Sequence, residues 1–265
     1  PYLALGADLS PQEQMTVLSL LGLSDINVDD YDIISITNAD EHEYLDKYLD
    51  ASIIGTRALS SVLVVGKEAG NGIHVTTKNI SYCTEGMYRN ALLTAGIEDA
   101  DITVAGPFSI SGTAALVGAI KAYETMTGEE IDDENLDAAN DELVLTGKLV
   151  EDIGDSEKAE DLMALVKQEV AENKLTSAED IQNVVDQACD QLDIQLSEEN
   201  QKQIAELMKK IEGLDLDVDK LKDQAKDLYQ KLEDLDFHVD KESVGNFFTR
   251  IIDAIVKFFQ GLFGK

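Results

Sequence analysis

Residues 100–128 read ADITVAGPFSISGTAALVGAIKAYETMTG, and the order of their patterns decides the fold. Ile102 to Ala105 is a short apolar, β-branched run suited to a buried strand. From about Ser111 to Met126 the pattern becomes helical. Gly112, Ala114, Ala115, Gly118, Ala119 and Ala122 give that helix a small-residue surface that another element can approach closely, and Gly128 stops it. A strand therefore passes into a helix across Gly106 to Thr113.

Upstream of this stretch, strand-like and helix-like segments alternate. Tyr2 to Leu5 is apolar, and Ser10, Pro11 and Glu13 supply an N-cap, a first-turn proline and a capping-box carboxylate for a helix carrying Met15, Leu18, Leu20 and Leu21. Tyr31 to Thr37 reads as a second strand, and Asn38 with Glu41 three residues on reads as the opening of a second helix through Tyr44, Leu45 and Tyr48. Ser60 to Val65 and Ile73 to Tyr82 flank Gly66, Gly70, Asn71 and Gly72, which predicts a long hairpin of two paired strands. Thr84 caps a helix carrying Met87, Tyr88, Ala91 and Leu92 that ends at Gly96.

Downstream, strand signals give way to three-four apolar spacing: Leu136, Ala139 and Leu143, then Leu162, Leu165, Val166 and Val170. Ser177 and Ser197 are the next N-caps. Ile204, Leu207, Ile211, Leu214, Val218, Leu221, Ala225, Leu228, Leu232 and Leu235 form a sustained seam of coiled-coil type. Gly213 and the run LDLDVD at 214–219 interrupt it, so a helix, a turn capped by Asp217 and a second helix is preferred to one rod. The expected fold class is α+β. Residues 1–154 form a mixed strand and helix domain, 155–242 a helical hairpin or bundle, and 243–265 an amphipathic terminal helix.

Composition bounds the function. Fifty-three acidic residues against 21 basic ones give a formal net charge of −32, which repels phosphate backbones, and aromatic residues make up only 6% of the chain with no tryptophan, so stacking surfaces for bases or sugars are scarce. Nucleic acid is therefore not an expected partner. Cys83 and Cys189 are read first as two buried free thiols; a bridge between them would close a loop worth about 4.7 kcal/mol in the chain-entropy model, and that alternative stays open.

The succession Leu5 to Ser10 (LGADLS), Ile54 to Ala58 (IGTRA), Asn79-Ile80 to Met87-Tyr88, Asn90-Ala91-Leu92 and Pro107 to Leu116 (PFSISGTAAL) resembles the YpuA-like family of exported proteins from Gram-positive bacteria, a domain of unknown function. The resemblance covers most of residues 2–154 and extends more loosely through the helical part. It implies export through a cleaved signal peptide, hence a secreted or envelope-associated protein. It implies no reaction and no catalytic residue.

Candidate chemistry is sparse. Ser109, Ser111, Gly112 and Thr113 could present hydroxyls and backbone N–H groups to an anion, although a capped helix start explains the same residues and no phosphate-loop lysine accompanies them. The serines lie outside any Gly-x-Ser-x-Gly elbow. His42, His74 and His238 sit in separate elements without ligand spacing, and His74 with Cys83 flanks a strand rather than a nucleophile loop. Asp215, Asp217 and Asp219 imitate a calcium loop, but Lys220 and Lys226 replace its glycine and its bidentate glutamate. Acidic clusters such as Asp132, Asp133 and Glu134 read as solvated faces. No catalytic, cofactor or metal residue is assigned.

The tail differs from everything before it. Phe247, Phe248, Ile251, Ile252, Ile255, Phe258, Phe259, Leu262 and Phe263 follow one helical stripe. Arg250, Lys257 and Lys265 against Asp253 give residues 243–265 a formal +2, leaving −34 on residues 1–242. The charges break the apolar run short of the ~20 residues a span requires, so lying in a membrane interface or docking on protein are the two expectations. The sequence thus predicts an exported binding or assembly protein without catalytic activity, whose tail engages a membrane surface or a protein partner and which could form homo-oligomers. The alternatives are an enzyme with its site near residues 106–113 and a self-assembling extracellular structural subunit.

Overall fold

The computed structural model describes residues 1–24, 32–214 and 216–222. Its strands are β1 (Tyr2–Gly6), β2 (Asp32–Ile36), β3 (Ser61–Gly66), β4 (Ile73–Ile80) and β5 (Ala100–Ile110). Their order across the sheet is β2-β1-β3-β5-β4. The outer pairs β1–β2 and β4–β5 are parallel, and β3 runs antiparallel to both β1 and β5. Parallel neighbours need a crossover. Helix α1 (Pro11–Leu20) supplies one between β1 and β2, and α4 (Glu85–Thr94) supplies the other between β4 and β5.

The hairpin expected between β3 and β4 does not form, because β5 lies between them. Strands are spaced ~4.8 Å, so the connection must span about twice that distance, which a two-residue turn cannot do. Residues 67–72 cover it. Asp99, immediately before β5, pins this loop by accepting the backbone N–H groups of Gly70 (3.0 Å) and Gly72 (2.7 Å). Side-chain character fits the positions: β4 carries His74, Thr76 and Lys78 on an edge, whereas Ile102, Val104 and Ala105 of β5 are buried in the interior.

Strand β5 also runs beyond the expected Ala105 through Gly106 and Pro107 to Ile110. The pairing shifts register between Lys78 and Ile80, where Asn79 takes φ +59° and donates from its side chain to the Gly106 carbonyl (3.1 Å). This irregularity accommodates a proline in a paired strand.

One face of the sheet carries the main core, in which Ala4, Val62, Ile36, Ile102 and Val104 pack beneath α4 and α5 (Thr113–Thr127). The small-residue surface of α5 faces the sheet: a Cβ on Gly118 would lie 2.8 Å from Ala4 Cβ and 3.1 Å from Val62 Cγ1. The other face packs Leu3, Leu5 and Ala105 against Val17 of α1 and Leu21, which caps its C-terminus. Helix α1 starts as expected, with the Ser10–Glu13 capping box and Pro11 in the first turn.

Helices α6 (Asp133–Ile153), α7 (Ser156–Asn173), α8 (Ala178–Leu192) and α9 (Glu198–Glu212) build outward from α4, each contacting the one before it. The Ser177 and Ser197 caps are present. Helix α9 ends at Gly213, residues 218–222 are helical again, and Asp217 accepts the N–H groups of Asp219 and Lys220. The break expected within the seam is therefore real. The seam beyond Lys222 and the expected tail helix fall outside the described residues. No described helix is long and apolar enough to cross a membrane.

Candidate functional site

The capping arrangement of the second helix, α2 (Asn38–Leu45), leads to the site. Its N-cap is Thr37 rather than Asn38, and Asp40 completes the capping box: Thr37 N–H donates to Asp40 Oδ2 (2.7 Å) and Asp40 N–H to Thr37 Oγ1 (3.2 Å). The one-residue shift frees Glu41 from the role the sequence assigned to it. Glu41 is instead buried, with only 1% of its surface exposed, and points toward the start of α5.

There Thr113 Oγ1 donates to Glu41 Oε1 (2.7 Å), Asn38 Nδ2 donates to Oε2 (3.2 Å), and Ser111 Oγ lies 3.2 Å from Thr113 Oγ1. Burial raises the Glu41 carboxyl above its ordinary value, and the hydrogen bonds from Thr113 and Asn38 partly offset that rise. The N-cap of helix α5 is Gly112, whose φ of +100° suits glycine. A Cβ there would lie 2.5 Å from the hydroxyl of Tyr88, which donates to the Gly112 carbonyl (2.6 Å). Ser60, from the loop before β3, accepts the Ala115 N–H (2.9 Å) and so caps α5 from outside.

Of these groups, Glu41, Ser60, Ser111 and Thr113 line an open cleft of about 460 Å³ between α2, the short helix α3 (Ala51–Ile54) with the loop after it, the end of β5 and the start of α5. Arg57 and Phe108 stand at its margin, both about half exposed. Arg57 Nη2 donates to the Asp8 carbonyl (2.7 Å) and to Glu13 Oε2 (2.9 Å). Glu13 lies well below the usual carboxylate range, at about 2, because it accepts the Ser10 N–H and bonds Arg57. Asp8 Oδ2 accepts the Ala58 N–H (2.8 Å), and Gly6 comes so close to this loop that a Cβ would lie 2.3 Å from the Ala58 carbonyl oxygen. Three separated stretches, LGADLS, IGTRA and PFSISGTAAL, are thus joined at one place.

Of the residues singled out for anion contact, Ser111 and Thr113 line the cleft, Gly112 packs against Tyr88 and Ile80 instead, and Ser109 is exposed near the end of β5. The helix start already has a carboxyl beside it. Sequence reading missed Glu41, Arg57 and Ser60. The competing Thr37-x-x-Asp40 capping pattern, one residue earlier, was the signal that Glu41 had another use.

The remaining candidates are dispersed. Cys83 is buried in the main core, where burial pushes its thiol up to about 12 and leaves little thiolate; Cys189 is buried on α8, and both thiols are free. His42 bonds Asp46 (2.5 Å) on an exposed face, and His74 lies 3.3 Å from Asp101 on the β4 edge. Among the described residues no three His, Cys, Asp or Glu side chains converge to hold a metal. His238, Asp215 and Lys226 lie outside the described residues, as do all nine apolar residues of the tail stripe.

Residues 5–228 match the family model described as "Protein of unknown function (DUF1002)". The chain is 40% identical over 261 residues to the Bacillus subtilis (strain 168) protein titled "Uncharacterized protein YpuA", an alignment covering 97% of this chain and 88% of the relative. No solved structure matches. With the match running through the cleft and most of the helical stack, the chain belongs to the DUF1002 family.

Proposed function

We propose that this is an exported protein, secreted or held at the cell envelope, that works by binding and assembly rather than catalysis, with its tail helix engaging a membrane surface or a protein partner. The observation that carries this reading is the partition of the chain: nine large apolar residues and a formal +2 in residues 243–265, against −34 in the rest. Each such side chain gains roughly 1.5–3 kcal/mol on burial, so the stripe requires a covering surface. Its charge draws it toward anionic lipid or an acidic protein surface. The non-catalytic part of the reading draws support from Ser60, whose hydroxyl is committed to capping α5, and from Cys83, whose thiol is buried and raised.

The test compares the full chain with a version ending at Ser243 and with the full-length Phe258→Glu/Phe259→Glu variant. Co-sedimentation with anionic and neutral vesicles and light scattering are the readouts. Both changes should reduce vesicle binding or oligomer size while leaving the circular dichroism of the mixed domain intact. Unchanged binding and unchanged oligomeric state would remove the support for the reading. An enzyme centred on residues 106–113 is the second reading, supported by the buried Glu41 carboxyl beside Ser111 and Thr113 at an open cleft.

A further inference from the structure

The cleft between α2, α3, the end of β5 and the start of α5 has a composition that narrows its occupant. Its volume of about 460 Å³ lies within the range of small-ligand sites. An anionic ligand is disfavoured because the Arg57 guanidinium is held by Glu13, Glu41 sits beside the helix start, and the chain carries −32. A cation would find no open carboxylate on the lining, since Glu41 is buried and already accepts from Thr113 and Asn38. A wholly apolar ligand would strip water from the partly exposed Ser111 hydroxyl without replacing its hydrogen bonds.

What remains is a neutral molecule carrying several hydroxyls and an apolar face. Ser111 can donate to Thr113, whose own proton goes to Glu41, leaving the Ser111 oxygen lone pairs to accept from a ligand hydroxyl. Phe108 supplies an aromatic surface at the margin. It is one of the few large apolar side chains exposed among the described residues, at 49%, and it lies three residues from Ser111. A second ring, Tyr82, lines the same cleft and is wedged against α6, where a Cβ on Gly147 would lie 2.4 Å from its hydroxyl. Aromatic rings beside hydrogen-bonding groups match the two faces of a sugar ring.

We propose that this cleft is a binding site for a neutral saccharide, a function separate from that of the tail. The full chain is titrated calorimetrically with tetramers of glucose, of N-acetylglucosamine and of galacturonate. At least one neutral tetramer should bind saturably and more tightly than the anionic galacturonate. Phe108→Ala should weaken that binding about tenfold, and Ser111→Ala should weaken it several-fold. Both side chains are at least partly exposed, so the circular dichroism and thermal midpoint of each variant should stay close to wild type. Failure of both neutral tetramers to saturate, tighter binding of galacturonate, or unchanged affinity in both variants would overturn the proposal. Since no readout involves vesicles or oligomer size, failure here leaves the reading of the tail intact.

Discussion

Glu169 lies on α7 with 4% of its surface exposed, where burial and the neighbouring Glu172 carboxylate push its carboxyl up to about 7, against the bond donated by Asn173. The native state then holds a proton that the unfolded chain releases near 4.5. Between those values stability must fall as pH rises, because the folded protein binds more protons than the unfolded one. The contribution is complete below about 4.5 and lost as pH passes about 7. The full shift corresponds to roughly 3 kcal/mol as an upper bound. Glu169→Gln should remove that part of the slope in chemical denaturation from pH 4.5 to 7.5, and an unaltered slope would show that Glu169 ionises freely in the fold. Glu41 responds in the same direction. Its burial was not legible in the sequence, since two capping patterns one residue apart compete, and only the packing of α2 against α5 decides which carboxylate caps and which turns inward.

At the scale of elements, α6 and α7 are joined to α4 by an ion pair with both side chains fully buried. Lys167 Nζ lies 2.9 Å from Glu142 Oε1 and also donates to the Asn90 carbonyl (2.9 Å) and Thr94 Oγ1 (3.1 Å). Burial lowers the lysine and raises the glutamate from their ordinary values, and each charge offsets the penalty of the other. Glu142→Ala leaves a buried ammonium without its counter-charge and should cost about 3–5 kcal/mol in denaturant unfolding. The double change Glu142→Leu/Lys167→Met should restore most of that loss. If the single and double variants are equally unstable, the packing of α6 on α7 depends on the pair itself rather than on its compensation. Periodicity announced these helices but not the pair, because spacing says which face is apolar and not which polar residue faces another helix. The sheet shows the same limit. Its strands were visible as β-branched runs, whereas the insertion of β5 between β3 and β4 rests on long-range pairing, and only the six residues from Lys67 to Gly72, too many for a tight turn, hinted at it.

For the whole molecule, the α+β division was legible because the change from β-branched runs to three-four spacing follows chain order closely, with β5 ending at Ile110 and helices following among the described residues. Charge acts on that same scale. The net −32 sets a diffuse repulsion against a smaller number of local attractions. Some attractions are well sheltered, such as Lys220 with Asp99, whose side chains are 14% and 12% exposed. Others are open to solvent, such as Lys202 with Glu206, and contribute little. Salt separates the two effects, because the screening length falls from ~30 Å at 0.01 M to a few Å near 1 M, weakening distant repulsions while sheltered pairs persist. Raising NaCl from about 0.01 to 0.5 M should therefore raise the thermal midpoint by a few degrees, on the order of 1 kcal/mol for a chain of this size. The same salt should weaken any attachment of the cationic tail to anionic vesicles. The midpoint and the vesicle binding would then move in opposite directions in one titration. A midpoint that falls as salt rises would mean that the local pairs, led by Lys220–Asp99 and Lys210 with Asp137 and Asp141, outweigh the repulsion of the acidic body.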